Sequence, residues 1–203
     1  DSFRRINNIL LDFSLDIWRY ISDKWIKQKT VKGEIGSSAM PHKVNPIDFE
    51  NAEANIGVAN ALFDFFASKL PISRLQRDLS DSSVQRNIGV AFAHTLVAYQ
   101  SIQKGLSKIE VDKNKILEDL ENNPEVIAEA FQNLLRISGF DKPYEALKEI
   151  TRGKAVTIED FRKFANKIAI DENKKKKLLE ITPSNYIGLS QKIVENFDPK
   201  ILR

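Results

Sequence analysis

The chain has 203 residues and a formal net charge of +3, and 42% of its residues are hydrophobic and 29% charged. These values are ordinary for a soluble globular protein, and the interspersed acids and bases argue against a nucleic-acid partner, which would need a concentrated basic face. The absence of cysteine excludes disulfides, thiolate metal sites and cysteine nucleophiles, no apolar run reaches membrane-spanning length, and we expect a cytoplasmic protein with no membrane partner.

The first predicted element is a long bundle helix that runs to about Lys29. Apolar residues recur in it at steps of three and four, which is the pattern of one buried helix face: Phe3, Ile6, Leu10, Phe13, Ile17, Ile21 and Trp25. Because Asp1 already lies inside this helical pattern, we expect the start of the complete protein to precede it. The stretch from Thr30 to Ser38, with Gly33 and Gly36, interrupts the helix.

Two more long helices are predicted, from Pro46 to about Leu70 and from about Val84 to Lys108. Apolar residues lie on more than one face of the three helices. We therefore expect them to pack in an intersubunit bundle.

The character of the sequence changes at about Glu110. From there on the predicted helices are short, and proline and glycine residues separate them. Four short helices are predicted, at residues 126–137, 144–151, 158–168 and 171–181, and no strand. The predicted fold is all-α, with a long-helix part at residues 1–110 and a compact helical part at residues 111–203.

The segment from Gly36 to Pro46 carries the richest chemistry, within a predicted loop at residues 33–46. It reads Gly-Ser-Ser-Ala-Met-Pro-His-Lys-Val-Asn-Pro. Asn45 is the expected helix cap, with Pro46 at the first helical position. The loop would bring Ser37, Ser38 and Lys43 to the mouth of a helix. A serine acts as a base only where cations or N–H groups stabilise its alkoxide and water is excluded, and Lys43 and Asn45 are suited to hold an oxyanion.

This string resembles the signature loop of the fumarase/aspartase superfamily, whose shared pattern is Gly-Ser-Ser-x-Met-Pro-x-Lys-x-Asn-Pro. His42 is similar to the residue of adenylosuccinate lyases, whereas fumarases and aspartases typically have Gly there and argininosuccinate lyases Gln. Residues 45–51, 68–79 and 144–154 also resemble bacterial-type adenylosuccinate lyases. The resemblance implies the C-terminal half of such an enzyme: part of the central long-helix bundle domain, followed by a small helical domain.

The resemblance also implies a reaction and its residues. The reaction is β-elimination of fumarate from adenylosuccinate, giving AMP, and from the succinylated aminoimidazole carboxamide ribotide SAICAR, giving AICAR. Ser37 matches the general base that takes the Cβ proton. The other matches are substrate-binding residues: Ser38, Lys43, Asn45 and Asn51 for the succinyl part, Arg77 for the substrate more generally, and Ser82 with Arg86 for the phosphate.

The resemblance implies no metal and no other cofactor, and a homotetramer whose active sites are shared between subunits. The catalytic acid would be a histidine outside this chain, so we expect the chain alone to be inactive. Two alternatives stay open: another lyase of the superfamily, such as an argininosuccinate lyase or a fumarase, and a non-catalytic helical assembly protein.

Simpler interpretations exist for several of these residues. Ser82 would be only an N-cap, Arg86 would pair with Asp81 or Asp78 at the surface, and Asn51 would be an ordinary polar helix residue. His94 is expected to be a packed or hydrogen-bonded structural histidine, and no role is assigned to His42. The run of lysines at 174–177 is expected to be a solvated helix end.

Overall fold

The computed structural model describes residues 1–29, 45–75, 77–153 and 156–202. Its regular structure is almost entirely helical, so the all-α prediction is confirmed. The chain divides into two compact units, Asp1–Lys113 and Asn114–Arg203. In the part that the structure describes, no helix is both long and apolar enough to cross a membrane.

The first unit is built on three long helices and one short helix: α1 Ser2–Ser22, α2 Ile47–Lys69, α3 Ser80–Gln85 and α4 Ile88–Ser107. Helix α2 packs along both α1 and α4. Its buried contacts form two apolar clusters, one of Ala52, Ile56, Ala98 and Ile102 and the other of Ala59, Phe63, Phe66, Val84 and Ala91. The alanines let the helix backbones approach closely.

Helix α1 ends earlier than predicted, and a strand follows it. The backbone of Lys24 is left-handed, with a φ of 65°, and the N–H of Trp25 donates to the carbonyl of Tyr20 (2.9 Å). This Schellman-type ending normally uses glycine, which is why the sequence did not signal it. Strand β1, Ile26–Gln28, then pairs antiparallel with β2, Ile109–Val111. The predictions of a helix to Lys29 and of no strand were therefore wrong.

The predicted third helix is divided into α3 and α4. The side chain of Asn87 donates to the carbonyl of Ser83 (2.8 Å), and Asn87 is the N-cap of α4. Because this side-chain bond competes with the helix backbone, the helix breaks there. At the start of α2, the N-cap is Pro46 and not Asn45, and no side chain caps the helix, so that prediction was wrong by one residue.

Large apolar side chains remain exposed on all three long helices of the first unit. Ile9 is 70% exposed, Leu96 56% and Phe65 50%. Others on the same helices are also exposed: Phe3, Ile6, Leu15, Trp18, Val58, Val90, Phe92, Val97 and Leu106. Such a surface exceeds the scattered apolar exposure of an ordinary monomer.

Over its described residues, the second unit is a set of six short helices, and the central four of them surround one apolar core. The six helices are α5 Lys113–Asn122, α6 Ala128–Ile137, α7 Pro143–Thr151, α8 Ile158–Lys167, α9 Glu172–Glu180 and α10 Ser190–Glu195, with 3₁₀ turns at Pro124–Ile127 and Pro199–Leu202. The core is formed mainly by Ile127, Phe131, Leu135, Leu147, Phe161, Ala165 and Leu178. The four predicted short helices are present, whereas α5 and α10 were not predicted.

Candidate functional site

Three of the predicted site residues, Ser37, Ser38 and Lys43, lie outside the described residues. Their roles stay predictions. The structure describes the chain on both sides of this segment, and it describes Asn45, Asn51, Arg77, Ser82 and Arg86.

The two ends of the segment at residues 30–44 are held at one place, the C-terminal end of α4. The N–H of Lys29 donates to the carbonyl of Lys108 (2.7 Å), and the ammonium of Lys108 donates to Asp48 Oδ2 (2.6 Å). Lys104 Nζ lies 3.4 Å from the other oxygen of Asp48. The side chains of Lys108 and Asp48 are each only 16% exposed, so this ion pair is poorly screened by water. Lys29, just before the segment, and Asp48, four residues after it, are therefore both bonded to Lys108.

Asn51 lies one turn inside α2 and is held by neighbouring side chains. Its Nδ2 donates to the hydroxyl of Ser101 (2.6 Å), and its Oδ1 accepts from Asn55 Nδ2 (3.0 Å). The residue is exposed, whereas Ser101 is buried. The Asn51 side chain is therefore held in place by both helices, α2 and α4.

Arg77 lies in the loop between α2 and α3, where Asp78 organises the backbone. The Asp78 carboxylate accepts from the N–H groups of Arg74 (3.0 Å) and Ser80 (2.9 Å) and also from the Ser80 hydroxyl. These hydrogen bonds, chiefly those from Ser80, lower the pKa of Asp78 to about 2. Leu75 in the same loop is fully exposed and has a left-handed φ of 53°, which is unfavourable for a leucine. The loop carrying Arg77 is thus held by an ionised carboxylate.

Ser82 lies on α3, and Arg86, one turn further along the chain, is the C-cap of that helix. The N–H of Arg86 donates to the carbonyl of Ser82 (3.4 Å), which places both on one side of the helix. Ser82 is not the N-cap, because Leu79 has that position, so this simpler interpretation was wrong. Across the described residues, Arg86 forms no ion pair, which leaves its guanidinium available to an external anion.

The two sets of predicted residues lie at opposite ends of α2. Asn45 and Asn51 are at its N-terminal end, whereas α3 packs through Val84 on Phe63 and Phe66 at its C-terminal end. At 1.5 Å per residue, the distance along the axis from Asn51 to Phe66 is about 22 Å. Asn51 and the Ser82–Arg86 pair are therefore associated with different ends of α2.

Two open grooves on the described surface are lined by other residues. One, of about 350 Å³, lies between the end of α2 and α3 and is lined in part by Phe65, Lys69 and Ser83. The other, of about 540 Å³, lies between α6 and α7 and is lined in part by Tyr144 and Lys148. Within the described ranges, no group of three or more His, Asp or Glu side chains is arranged to hold a metal ion.

The remaining polar residues behave as structural groups. His94 Nδ1 is 2.7 Å from Asn55 Oδ1, which confirms the prediction of a hydrogen-bonded histidine. The lysine run lies on α9, where Lys175 pairs with Glu172 (2.9 Å) and Lys174 donates to the carbonyl of Ile137 (3.3 Å). It is part of an ordinary helix surface.

Sequence reasoning overlooked Asp78, Asn55 and Ser101. Asn55 and Ser101 could have been recognised as polar residues among mostly apolar or small residues of their helices. Asn55 also lies four residues after Asn51, on the same side of the helix. Asp78 lies inside the quoted stretch 68–79, but only its partners show what it does.

Comparison with known families gives two matches. The family described as "Adenylosuccinate lyase C-terminal" matches residues 73–187, which is more than half of the chain, and the family described as "Lyase" matches residues 1–60.

The chain is also similar to curated proteins named adenylosuccinate lyase. It is 56% identical to that of Dictyostelium discoideum over 192 residues, which are 93% of this chain and 41% of the relative. It is 52% identical to that of Escherichia coli K12 over 195 residues, 96% of this chain and 43% of the relative, and 53% identical to that of Legionella pneumophila Corby over 193 residues, 95% and 42%. The chain thus spans about two fifths of the length of these relatives.

Proposed function

This chain belongs to the adenylosuccinate lyase family, and on that premise we propose that the complete protein releases fumarate from adenylosuccinate and from SAICAR. The products would be AMP and AICAR. The observation that carries the proposal is an identity of 50–56% to adenylosuccinate lyases over at least 93% of the chain. The complete Gly36–Pro46 string supports it, since every fixed position of the superfamily pattern is filled.

The proposed chemistry is removal of a proton followed by cleavage of a C–N bond. Ser37 takes the proton from the succinyl Cβ, and the electrons left on that carbon form the double bond of fumarate. The electrons of the broken C–N bond pass to the nucleotide nitrogen, which is protonated by a histidine outside this chain. Lys43 and Asn45 stabilise the negative charge that moves onto the adjacent carboxylate.

The rest of the substrate would be held by the other candidate residues. Ser38 and Asn51 would contact the succinyl part. Arg77 would bind the substrate from the loop that Asp78 organises. Ser82 and Arg86 would bind the phosphate, because a hydroxyl and a guanidinium on one side of a helix offer it a hydrogen bond and a charge-assisted hydrogen bond.

We propose that active sites are shared between copies in a homotetramer. Two observations support this proposal: the distance of about 22 Å along α2 that separates Asn51 from the α3 end, and the exposed apolar side chains on α1, α2 and α4. A second copy would supply the missing end of the site and cover those side chains. A cytoplasmic location is part of the same proposal.

The test is steady-state turnover of the full-length protein, followed by ultraviolet absorbance. Ser37→Ala should lower kcat by about 10²–10⁴-fold, since it removes the general base. Ser38→Ala is the matched control, a change of the same size in the next residue, and it should act mainly through KM. Unchanged turnover by Ser37→Ala would overturn the assignment of the base.

The same assay separates the alternatives. Turnover of argininosuccinate or of malate and fumarate, without turnover of adenylosuccinate, would indicate another lyase of the superfamily. A well-folded full-length protein without any lyase activity would indicate an assembly role.

A further inference from the structure

A chain of four polar side chains crosses the contact between α2 and α4. Ser101 and His94 lie two turns apart on α4, and Asn51 and Asn55 lie one turn apart on α2. The chain runs from Ser101 to Asn51 (2.6 Å), to Asn55 (3.0 Å) and to His94 (2.7 Å). Ser101 is buried, Asn55 and His94 are half-buried, and Asn51, at the predicted substrate site, is exposed.

One backbone group shows the direction of each hydrogen bond in this chain. The carbonyl of Asn51 can only accept, and Asn55 Nδ2 lies 2.8 Å from it, so Asn55 turns its NH₂ group towards Asn51. Asn55 Oδ1 then faces His94, and His94 Nδ1 must carry the proton that this oxygen accepts. Asn51 Oδ1 accepts from the same NH₂ group, so its own Nδ2 faces Ser101.

The result is a fixed orientation of the Asn51 amide. One Nδ2 hydrogen is used by Ser101, and within the described residues the second has no acceptor. An N–H group is what a substrate carboxylate needs, whereas a reversed amide would offer it an oxygen and repel it. A wrongly turned Asn51 would therefore weaken substrate binding without any loss of its side chain.

We propose that His94, acting through Asn55, is a positioning residue that holds the Asn51 amide with its N–H group ready for the substrate carboxylate. The proposal rests on the proposed function, because it assigns a task at that same site. His94 does not touch the substrate in this account, and its contribution is the proton on Nδ1. Ser101 completes the arrangement from the other side.

A second polar cluster in the same bundle provides the matched control. Asn7, which is fully buried, donates to Asn60 (3.0 Å), and its Oδ1 accepts from the hydroxyl of Tyr99 (2.8 Å). Tyr99 lies on α4, as His94 does, but it has no connection to Asn51. Tyr99→Phe therefore removes one interhelical hydrogen bond and leaves the predicted site unaffected.

The test compares KM and kcat for adenylosuccinate in the full-length enzyme, together with the melting temperature of each variant. His94→Phe, which lacks the donor, should raise KM by about five- to tenfold with kcat within about twofold of the wild type, as expected when a binding hydrogen bond is lost. His94→Asn, whose Nδ2 takes the position of the histidine Nδ1 and can donate to Asn55, should restore KM to within about twofold. Tyr99→Phe should lower the melting temperature and leave KM unchanged.

The possible outcomes distinguish failure of the positioning role of His94 from failure of the proposed function. Unchanged KM in His94→Phe, or a raised KM that His94→Asn does not restore, overturns the positioning role and leaves the proposed function standing. If His94→Phe does not fold, Asn55→Ala decides, because it removes the link between His94 and Asn51 and should raise KM to a similar extent. A folded wild-type enzyme that releases no fumarate overturns both the proposed function and the positioning role, since there is then no substrate carboxylate for the Asn51 amide to bind.

Discussion

Gly105 on α4 packs tightly against α2, and this contact gives a sharp prediction. A Cβ added to Gly105 would lie 2.8 Å from two ring carbons of Phe49 and 3.2 Å from Cβ of Asp48. The ring cannot move away easily, because Phe49 is only 1% exposed and surrounded by core. Gly105→Ala therefore forces two helices apart.

The expected magnitude follows from two opposing terms. Overpacking of this kind costs about 1–3 kcal/mol, whereas replacing glycine by alanine inside a helix contributes about 1 kcal/mol of stability. The net loss for Gly105→Ala is about 1 kcal/mol. Gly57→Ala in α2 is the matched control, since no atom lies within 4 Å of its added Cβ, and it should gain up to about 1 kcal/mol.

The assay is urea unfolding of the 203-residue chain followed by tryptophan fluorescence. The two tryptophans, Trp18 and Trp25, both lie in the first unit, so the signal reports on the unit that contains Gly105. The two variants should differ by about 2 kcal/mol in free energy of unfolding, at unchanged slope. A Gly105→Ala variant as stable as Gly57→Ala would refute the argument from close packing.

Two further predictions concern ionised carboxylates. The hydrogen bonds of Asp78 lower its folded-state pKa to about 2, so its stabilising contribution should be present above about pH 4 and lost as the pH falls towards about 2. Asp78→Asn should therefore be less stable than the wild type at pH 5, as measured by tryptophan-monitored unfolding. The difference between the two proteins should vanish at low pH. In the second unit, Thr157 and Asp160 form a reciprocal capping box at the start of α8, which also lowers the pKa of Asp160. Thr157→Ala should lower the free energy of unfolding by about 1 kcal/mol, measured by circular dichroism in urea, whereas Thr157→Ser should retain most of the wild-type stability. Equal stability of the Thr157→Ala and Thr157→Ser variants would contradict the role of the cap.

The sequence predicted the parts of the fold that depend on periodicity and proline. Helix α2 begins and ends within one residue of the prediction, because Pro46 and Pro71 bound a continuous helical pattern. The end of α1 was not predictable in this way, since a lysine takes the left-handed position that glycine usually occupies. Trp25 also continues the apolar helical pattern, although it lies in the turn before β1.

The candidate site was also predictable only in part. Residue identities led to Ser37, Lys43 and Asn51 through a pattern of fixed spacing. Their partners did not follow, because Asn51 and Ser101 are fifty positions apart in the sequence and meet only when α2 and α4 pack. The distance between Asn51 and the Ser82–Arg86 pair likewise depends on α2 being one uninterrupted helix.

The anchoring at Lys108 has a consequence for how the segment at residues 30–44 can change. Its ends are joined to the same lysine, one through the carbonyl and one through the ammonium group, so the bundle itself closes the fifteen-residue excursion. The entropy of closing a loop grows only with the logarithm of its length, and doubling the length costs about 0.6 kcal/mol. Insertions between residues 30 and 44 should therefore be tolerated by the fold. A side-chain change at Lys108 would remove its ion pair with Asp48 but would keep the hydrogen bond from Lys29, because that bond is made to the backbone carbonyl.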